Sequence, residues 1–165
     1  PSTDEYLSTM EVYQEKDVPI KQAVPNETVW LDELKIEFLA PLQFYDTMNN
    51  NSVVVKLTYG DTSFLMMGDA EKEEEQDLLN SGANLQADVI KIGHHGSKTS
   101  TTQEFLNAVQ PDMAVISVGP DKNELPKSEV LQRLEQSNVK TYRTDSSGTV
   151  IFMSDGADIT VATEQ

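Results

Sequence analysis

The sequence contains no cysteine, one tryptophan and two histidines among its 165 residues. Without cysteine there are no disulfides and no thiolate-held metals, so any metal must be bound by nitrogen and oxygen. Cationic residues are scarce, 12 Lys and Arg against 28 Asp and Glu, a formal net charge of −16. That excess favours solubility and gives no surplus of cations with which to track nucleic-acid phosphates unaided. A bound divalent metal would reverse the sign locally, so a nucleic-acid substrate is disfavoured by charge but stays open. No stretch approaches the roughly 18 consecutive apolar residues of a membrane-spanning helix. The start, Pro1-Ser2-Thr3-Asp4-Glu5, has neither the basic region nor the apolar core of a secretion signal. It also lacks an initiating Met, as a fragment or a processed product would.

The length suits one domain with its own core, or half of a larger one, over residues 1–165. Tyr6, Leu7, Met10 and Tyr13 behind Ser2, Thr3 and Asp4 predict an amphipathic helix over residues 3–15, closed before Pro19. A short strand is expected at 20–24. Residues 29–31 and 34–39, joined at Asp32-Glu33, read as a hairpin; the second arm alternates apolar and charged residues, as a strand with one face in the core does. A second hairpin, 52–59 with 63–67, turns at Gly60-Asp61. The acidic stretch 71–80 predicts a helix lying mostly on the surface, with Leu78 and Leu79 tucked in. Residues 88–92 form a short apolar strand. Thr101-x-x-Glu104 reads as a capping box opening a helix with Phe105, Leu106 and Val109 on one side. A strand at 113–118, a helix from about Ser128, and strands at 139–142, 149–153 and 159–161 complete the chain. Hairpins followed by alternating helix and strand define an α/β class with a mixed sheet.

Both histidines fall in Ile92-Gly93-His94-His95-Gly96-Ser97, just past the apolar strand at 88–92. Gly68-Asp69 stands in the same relation to the strand at 63–67. Loops past strand ends are where sheets build sites, and a carboxylate with imidazoles suits zinc, manganese or iron. Such a metal polarises an ester or phosphodiester and lowers the pKa of water toward about 7. Asp69, after a glycine and ahead of a helix, has the setting of a helix N-cap, and on spacing alone a cap is a stronger reading than a ligand. Within the pair, one histidine can be a hydrogen-bonded loop residue while only the other has a role.

Asn49-Asn50-Asn51-Ser52-Val53-Val54-Val55-Lys56-Leu57, Met66-Met67-Gly68-Asp69-Ala70-Glu71 and Ala87-Asp88-Val89-Ile90-Lys91-Ile92-Gly93-His94-His95-Gly96-Ser97 together resemble the metallo-β-lactamase superfamily. The resemblance is in particular to the hydrolase domain of the competence protein ComEC and its stand-alone relatives. It continues through residues 111–119 and Tyr142-Arg143-Thr144-Asp145. It implies an αββα sandwich in which two metals, zinc above all, activate a water. On this chain it implies Asp69 as the bridging carboxylate, His94 (or its neighbour His95) as the last metal ligand, and Ser97 as a supporting residue. Asp69 and His94 would then be the catalytic pair.

Two departures accompany the match. The His-x-His-x-Asp-His motif that supplies most ligands in such enzymes has no counterpart here, so the chain resembles the C-terminal half of the sandwich. After Gly119, where relatives carry Asn-x-Tyr-Gly-His-Pro, the chain reads Pro120-Asp121-Lys122-Asn123-Glu124-Leu125-Pro126, without histidine. The expected function is therefore part of a metal-dependent hydrolase acting on a phosphodiester or related ester. Its second half would be a partner segment of the same domain, or else a self-associating copy. A binding module that kept the fold without the chemistry is the alternative, and a plain structural subdomain comes third. Half a sandwich leaves an apolar sheet face open. The resemblance favours the extracellular side of the membrane over the cytosol.

Overall fold

Alternation along the central strands sorts their side chains onto two faces, and the two faces have met different fates. The computed structural model describes residues 3–119 and 124–164. Its main sheet contains β1 (Thr28–Leu31), β2 (Leu34–Ala40), β3 (Val54–Tyr59), β4 (Thr62–Met66), β5 (Val89–Lys91), β6 (Met113–Ile116) and β7 (Lys140–Arg143), lying side by side in chain order. The pairs from β1 to β4 are antiparallel hairpins; those from β4 to β7 are parallel. Helices α2 (Lys72–Asn80), α3 (Gln103–Val109) and α4 (Ser128–Gln136) form the parallel crossovers. They cover one face, as parallel strands require.

On that face Val54, Leu65, Met67, Ile90, Ile92, Ala114 and Ile116 are all fully buried. They pack with Leu78, Phe105, Leu106, Val109, Val130 and Leu134 from the helices into one core. On the opposite face Ile36, Val55, Leu57, Phe64 and Val115 are only partly covered, and Met66 is exposed. A small antiparallel sheet of β8 (Thr149–Ser154) and β9 (Ile159–Glu164) roofs part of it. There Phe152 meets Phe64 and Tyr142 edge-on, with ring centroids 6.3 and 5.6 Å away. An apolar cleft of about 540 Å³ remains between Leu34, Leu57, Tyr59, Phe64, Met66 and Val115. The mixed α/β sheet and the incompletely covered apolar face both match expectation.

The differences have physical causes. Helix α1 (Asp4–Glu15) forms, capped by the Thr3 hydroxyl, which accepts from Tyr6 N at 3.3 Å. It buries nothing, and Tyr6, Leu7 and Tyr13 stay exposed. Residues 20–24 are not a strand: no neighbour offers them a hydrogen-bonding edge. Thr101 does not cap α3. It is buried with φ at 54°, its amide turned to Glu75, and Thr102 caps instead, accepting from Phe105 N at 3.3 Å. Helix α2 is less superficial than its acidic sequence suggests. Glu74 and Glu75 are buried beside Leu78, and Glu75 accepts from the amides of Thr101 and Thr102. Of the segment after Gly119, residues 120–123 lie outside the described residues, as does Ser2.

One-sided burial ranks substitutions. Phe105→Ala empties the helix-side core and is expected to cost about 3–5 kcal/mol. Leu7→Ala on the unpacked α1 is expected to stay within about 0.5 kcal/mol. Urea unfolding of the two variants checks the ranking.

Candidate metal centre

The strands β4 and β5 are parallel neighbours, so the loops that follow them emerge side by side at one rim of the sheet. Gly68-Asp69 leaves β4 and Gly93-His94-His95-Gly96 leaves β5. They are drawn together by a glycine: a Cβ on Gly93 would lie 2.7 Å from the Ala70 carbonyl oxygen, closer than any real contact allows. The His94 amide donates to the Gly68 carbonyl across the gap at 3.2 Å.

His94 and His95 have φ of 45° and 53°, two successive non-glycine residues in the left-handed region. Such a conformation costs of order 1 kcal/mol or more per residue and persists only where surroundings impose it. Here they do so by side-chain anchoring. His95 Nδ1 lies 2.6 Å from the Ser117 carbonyl, at the end of β6. A carbonyl can only accept, so Nδ1 carries the proton and Nε2 is left facing Asp69 Oδ1 at 3.5 Å. His94 Nδ1 donates to Glu71 Oε1 at 3.0 Å. Thr99 donates to the same oxygen at 2.6 Å, and Ser97 Oγ is 3.0 Å from the Thr99 hydroxyl. The Asn49 amide nitrogen sits 3.5 and 3.4 Å from the two ring nitrogens of His94, so it lies against the ring.

The loop thus holds two acid–imidazole pairs. Asp69–His95 is open, with both side chains somewhat over 40% exposed; Glu71–His94 is more enclosed, at 15% and 27%. Asp69 is not a helix cap: Glu71 precedes α2, and the Asp69 amide donates to Ser52 Oγ at 3.0 Å. The Ser97 amide donates to the His94 carbonyl at 2.9 Å, while the Ser97 side chain reaches the His94 ring only through Thr99 and Glu71. A cleft of about 260 Å³ opens beside His95, lined by Ser117, Val118, Gly119 and Thr144. Lys91 lies between Asp69 and the apolar cleft, its Nζ within 3.5 Å of the Gly68 and Ile92 carbonyls. Burial pushes its ammonium below the ordinary lysine range, with Asp69 opposing the shift.

Sequence reasoning missed Glu71, Thr99 and Ser117. Glu71 could have been suspected, since it follows Gly68-Asp69 by two residues. Ser117 acts through its backbone, which leaves no signal in residue type.

With Nδ1 committed to Ser117, Nε2 is the ring nitrogen that faces the carboxylate, and a proton or a metal ion can sit between the two. Zinc–nitrogen and zinc–oxygen bonds near 2.1 Å at a tetrahedral angle place two donors about 3.4 Å apart, close to the 3.5 Å here. Carboxylate and anchored imidazole therefore fit two positions of a metal site. The described residues stop there, for none of their His, Asp and Glu side chains form a group of three able to hold an ion.

The family model of the metallo-beta-lactamase superfamily matches residues 3–119, and the chain belongs to that superfamily. It is 38% identical over 154 residues to ComE operon protein 3 of Bacillus subtilis, covering 86% of this chain and 20% of that one. It is 36% identical over 124 residues to competence protein ComA of Neisseria gonorrhoeae, covering 73% and 18%. The chain thus spans about a fifth of the length of these curated relatives. Among solved structures, CmlA, a diiron β-hydroxylase from Streptomyces venezuelae, superposes with a TM-score of 0.52 at 11% identity, over 73% of this chain and 32% of its own. At that identity the likeness is one of fold.

Gly93→Ala tests the close approach. Forcing a methyl against the Ala70 carbonyl is expected to cost about 1–3 kcal/mol and to remove hydrogen-exchange protection from the His94 amide. Urea unfolding and amide exchange measure the two effects.

Proposed function

We propose that this chain is the C-terminal part of a metal-dependent hydrolase that cleaves a phosphodiester or related ester. The observation that carries the reading is the Asp69–His95 pair, with Nε2 and Oδ1 3.5 Å apart and His95 Nδ1 tied to Ser117. An imidazole whose second nitrogen is fixed by a backbone carbonyl is the usual form of a metal-binding histidine. Asp69 and His95 would hold the ion, with zinc, manganese or iron all suited to such donors. A metal bound there would supply Lewis acidity toward the ester and a more acidic water.

In this reading His94 is a positioning residue. Its ring is occupied by Glu71, and its amide locks the β5 loop to the β4 loop. A catalytic zinc site takes about three protein ligands plus water, so the remaining donors come from a segment of the same hydrolase domain outside these 165 residues. The open apolar face of the main sheet is the surface on which that segment would pack. The relatives' names, which speak of competence, favour a phosphodiester. The net charge of −16 argues that a metal, rather than surface lysines, would meet the phosphate.

A module that kept the fold and lost the chemistry is the second reading, favoured by the two-donor set among the described residues. The two separate in the protein that carries the rest of the domain. Changing only the groups that hold a metal ligand in place costs about 10–100-fold. Asp69→Ala and His95→Ala are therefore expected to lower hydrolysis of bis(p-nitrophenyl) phosphate by at least about 100-fold and to reduce metal content by elemental analysis. His94→Ala combined with His95→Ala is expected to abolish metal uptake while leaving circular dichroism nearly unchanged. Full metal content in that double variant would sink the metal reading. Metal binding without turnover in the unaltered protein would select the second one.

A further inference from the structure

We propose that residues 41–51 form a pH-sensitive clasp on α2, closed while Glu74 keeps its proton and loosened when the proton leaves. The inference stands on the clasp's own geometry and does not require the hydrolase reading.

Four side-chain bonds fasten the segment to α2 and to Glu71 just before it. Asn50 Nδ2 donates to Glu73 Oε2 at 2.9 Å, and Asn50 Oδ1 accepts from Glu71 N at 3.0 Å. One turn further along, Asp77 Oδ2 accepts from Tyr45 Oη at 2.6 Å and Gln43 Nε2 at 2.5 Å. The segment is also stapled internally. Asn51 Oδ1 accepts from the Tyr45 amide at 2.9 Å, and Asn51 Nδ2 donates to the carbonyls of Tyr45 and Thr47, each at 2.8 Å. It therefore moves as one compact body.

Glu74 sits between the two fastenings. It is fully buried, and neither carboxyl oxygen has a hydrogen-bond partner. A buried carboxylate without partners is costly, so the group keeps its proton instead. Burial is the main cause that pushes Glu74 up to about 8, and the charges of Asp77 and Glu75 on the same helix add to it. From the clasp the titratable group facing it is Tyr45, whose hydroxyl is held well above its ordinary range by burial and by Asp77. Tyr45 thus remains a donor while Glu74 titrates. The strand packed on α2, β2, ends there in the buried Leu39 and Ala40 and carries its charges, Lys35 and Glu37, in its earlier half. On α3 the acidic residue is the exposed Glu104. No cation among these elements compensates an ionised Glu74; the nearby buried Glu75 engages Thr101, Thr102 and the field of Arg133.

The clasp touches the candidate site at two points, and the residue that follows it adds a third contact. Asn49 lies on the His94 ring, Asn50 holds the Glu71 amide, and Ser52, the next residue, receives the Asp69 amide. Loosening residues 41–51 therefore frees the support of the Glu71–His94 pair directly and bears on the Asp69–His95 pair through the adjoining Ser52.

The sign follows from linkage. Glu74 binds its proton more tightly in the closed form than when exposed, so closure is fully favoured at low pH. It weakens as pH rises toward about 8, by up to about tenfold per pH unit, and then levels off. The experiment is amide hydrogen exchange across pH 5 to 9, corrected for intrinsic rates, on the unaltered chain, Glu74→Gln, Glu74→Leu and Glu75→Gln. The expected result is that amides of 41–51 lose protection with rising pH in the unaltered chain and in Glu75→Gln. In Glu74→Gln they hold steady, and β5 and β6 amides stay protected throughout. Should Glu74→Gln fail to fold, Glu74→Leu decides in the same way. The same slope in a folded Glu74 variant overturns the proposal, as does simultaneous loss of protection in β5 and β6.

Discussion

The structure depends on the complete burial of one face of the main sheet. Seven residues in or directly after its strands are wholly removed from water against three helices, and they include both flanks of the rim loops, Met67 before Gly68 and Ile92 before Gly93. Because those two residues are fixed in the core, the residues that follow leave the sheet at fixed positions. The gap between the loops is then set by backbone packing, where Gly93 leaves no room for a side chain beside the Ala70 carbonyl. Nothing similar holds the other face, where the small hairpin sheet makes two aromatic edge contacts and leaves a cleft beside them.

Rigid strand ends explain why the histidine loop can sustain an unfavourable backbone. Two consecutive left-handed residues would relax in a free loop. Between a core residue on one side and the Gly96–Ser97 turn on the other, relaxation would break the bonds to Gly68, Glu71 and Ser117 together. The strain also aims the rings apart, one at each acid. Side-by-side histidines in an extended strand would point to opposite faces of the sheet. The left-handed turn instead keeps both on the same rim with their ring centroids 6.5 Å apart.

Much of this was legible in the sequence, and what was not follows a pattern. The hairpins at Asp32-Glu33 and Gly60-Asp61, the apolar runs of β5 and β6 and the helix after Ser128 were readable because local composition and tertiary environment agree. Thr101 and Thr102 are adjacent and chemically alike, so only the distant Glu75 decides which of them caps α3. Glu74 and Glu75 looked like surface residues because charge usually means exposure; a helix wedged under the 41–51 segment has no outward face at those positions. The family resemblance brought Asp69 and the histidine pair forward as candidates. It put His94 ahead of His95 as the ligand; the different surroundings of the two rings, one on Glu71 and the other on the Ser117 carbonyl, depend on two φ angles that residue type does not reveal.

The two deficits of the chain lie next to each other. On the proposed reading Asp69 and His95 would offer two donors where a catalytic zinc site takes about three, and the rim that carries them borders the uncovered face at Lys91 and Met66. Lys91 joins the two regions, since its stem lines the apolar cleft while its ammonium is within reach of the Gly68 carbonyl. A segment laid over Met66, Phe64 and Leu57 would bury the exposed apolar surface and end beside Asp69. Covering the face would also thicken the low-dielectric wall behind the carboxylate, strengthening any interaction with a cation in front of it. Completion of the core and completion of the donor set would then be a single event, with metal affinity coupled to packing on the open face.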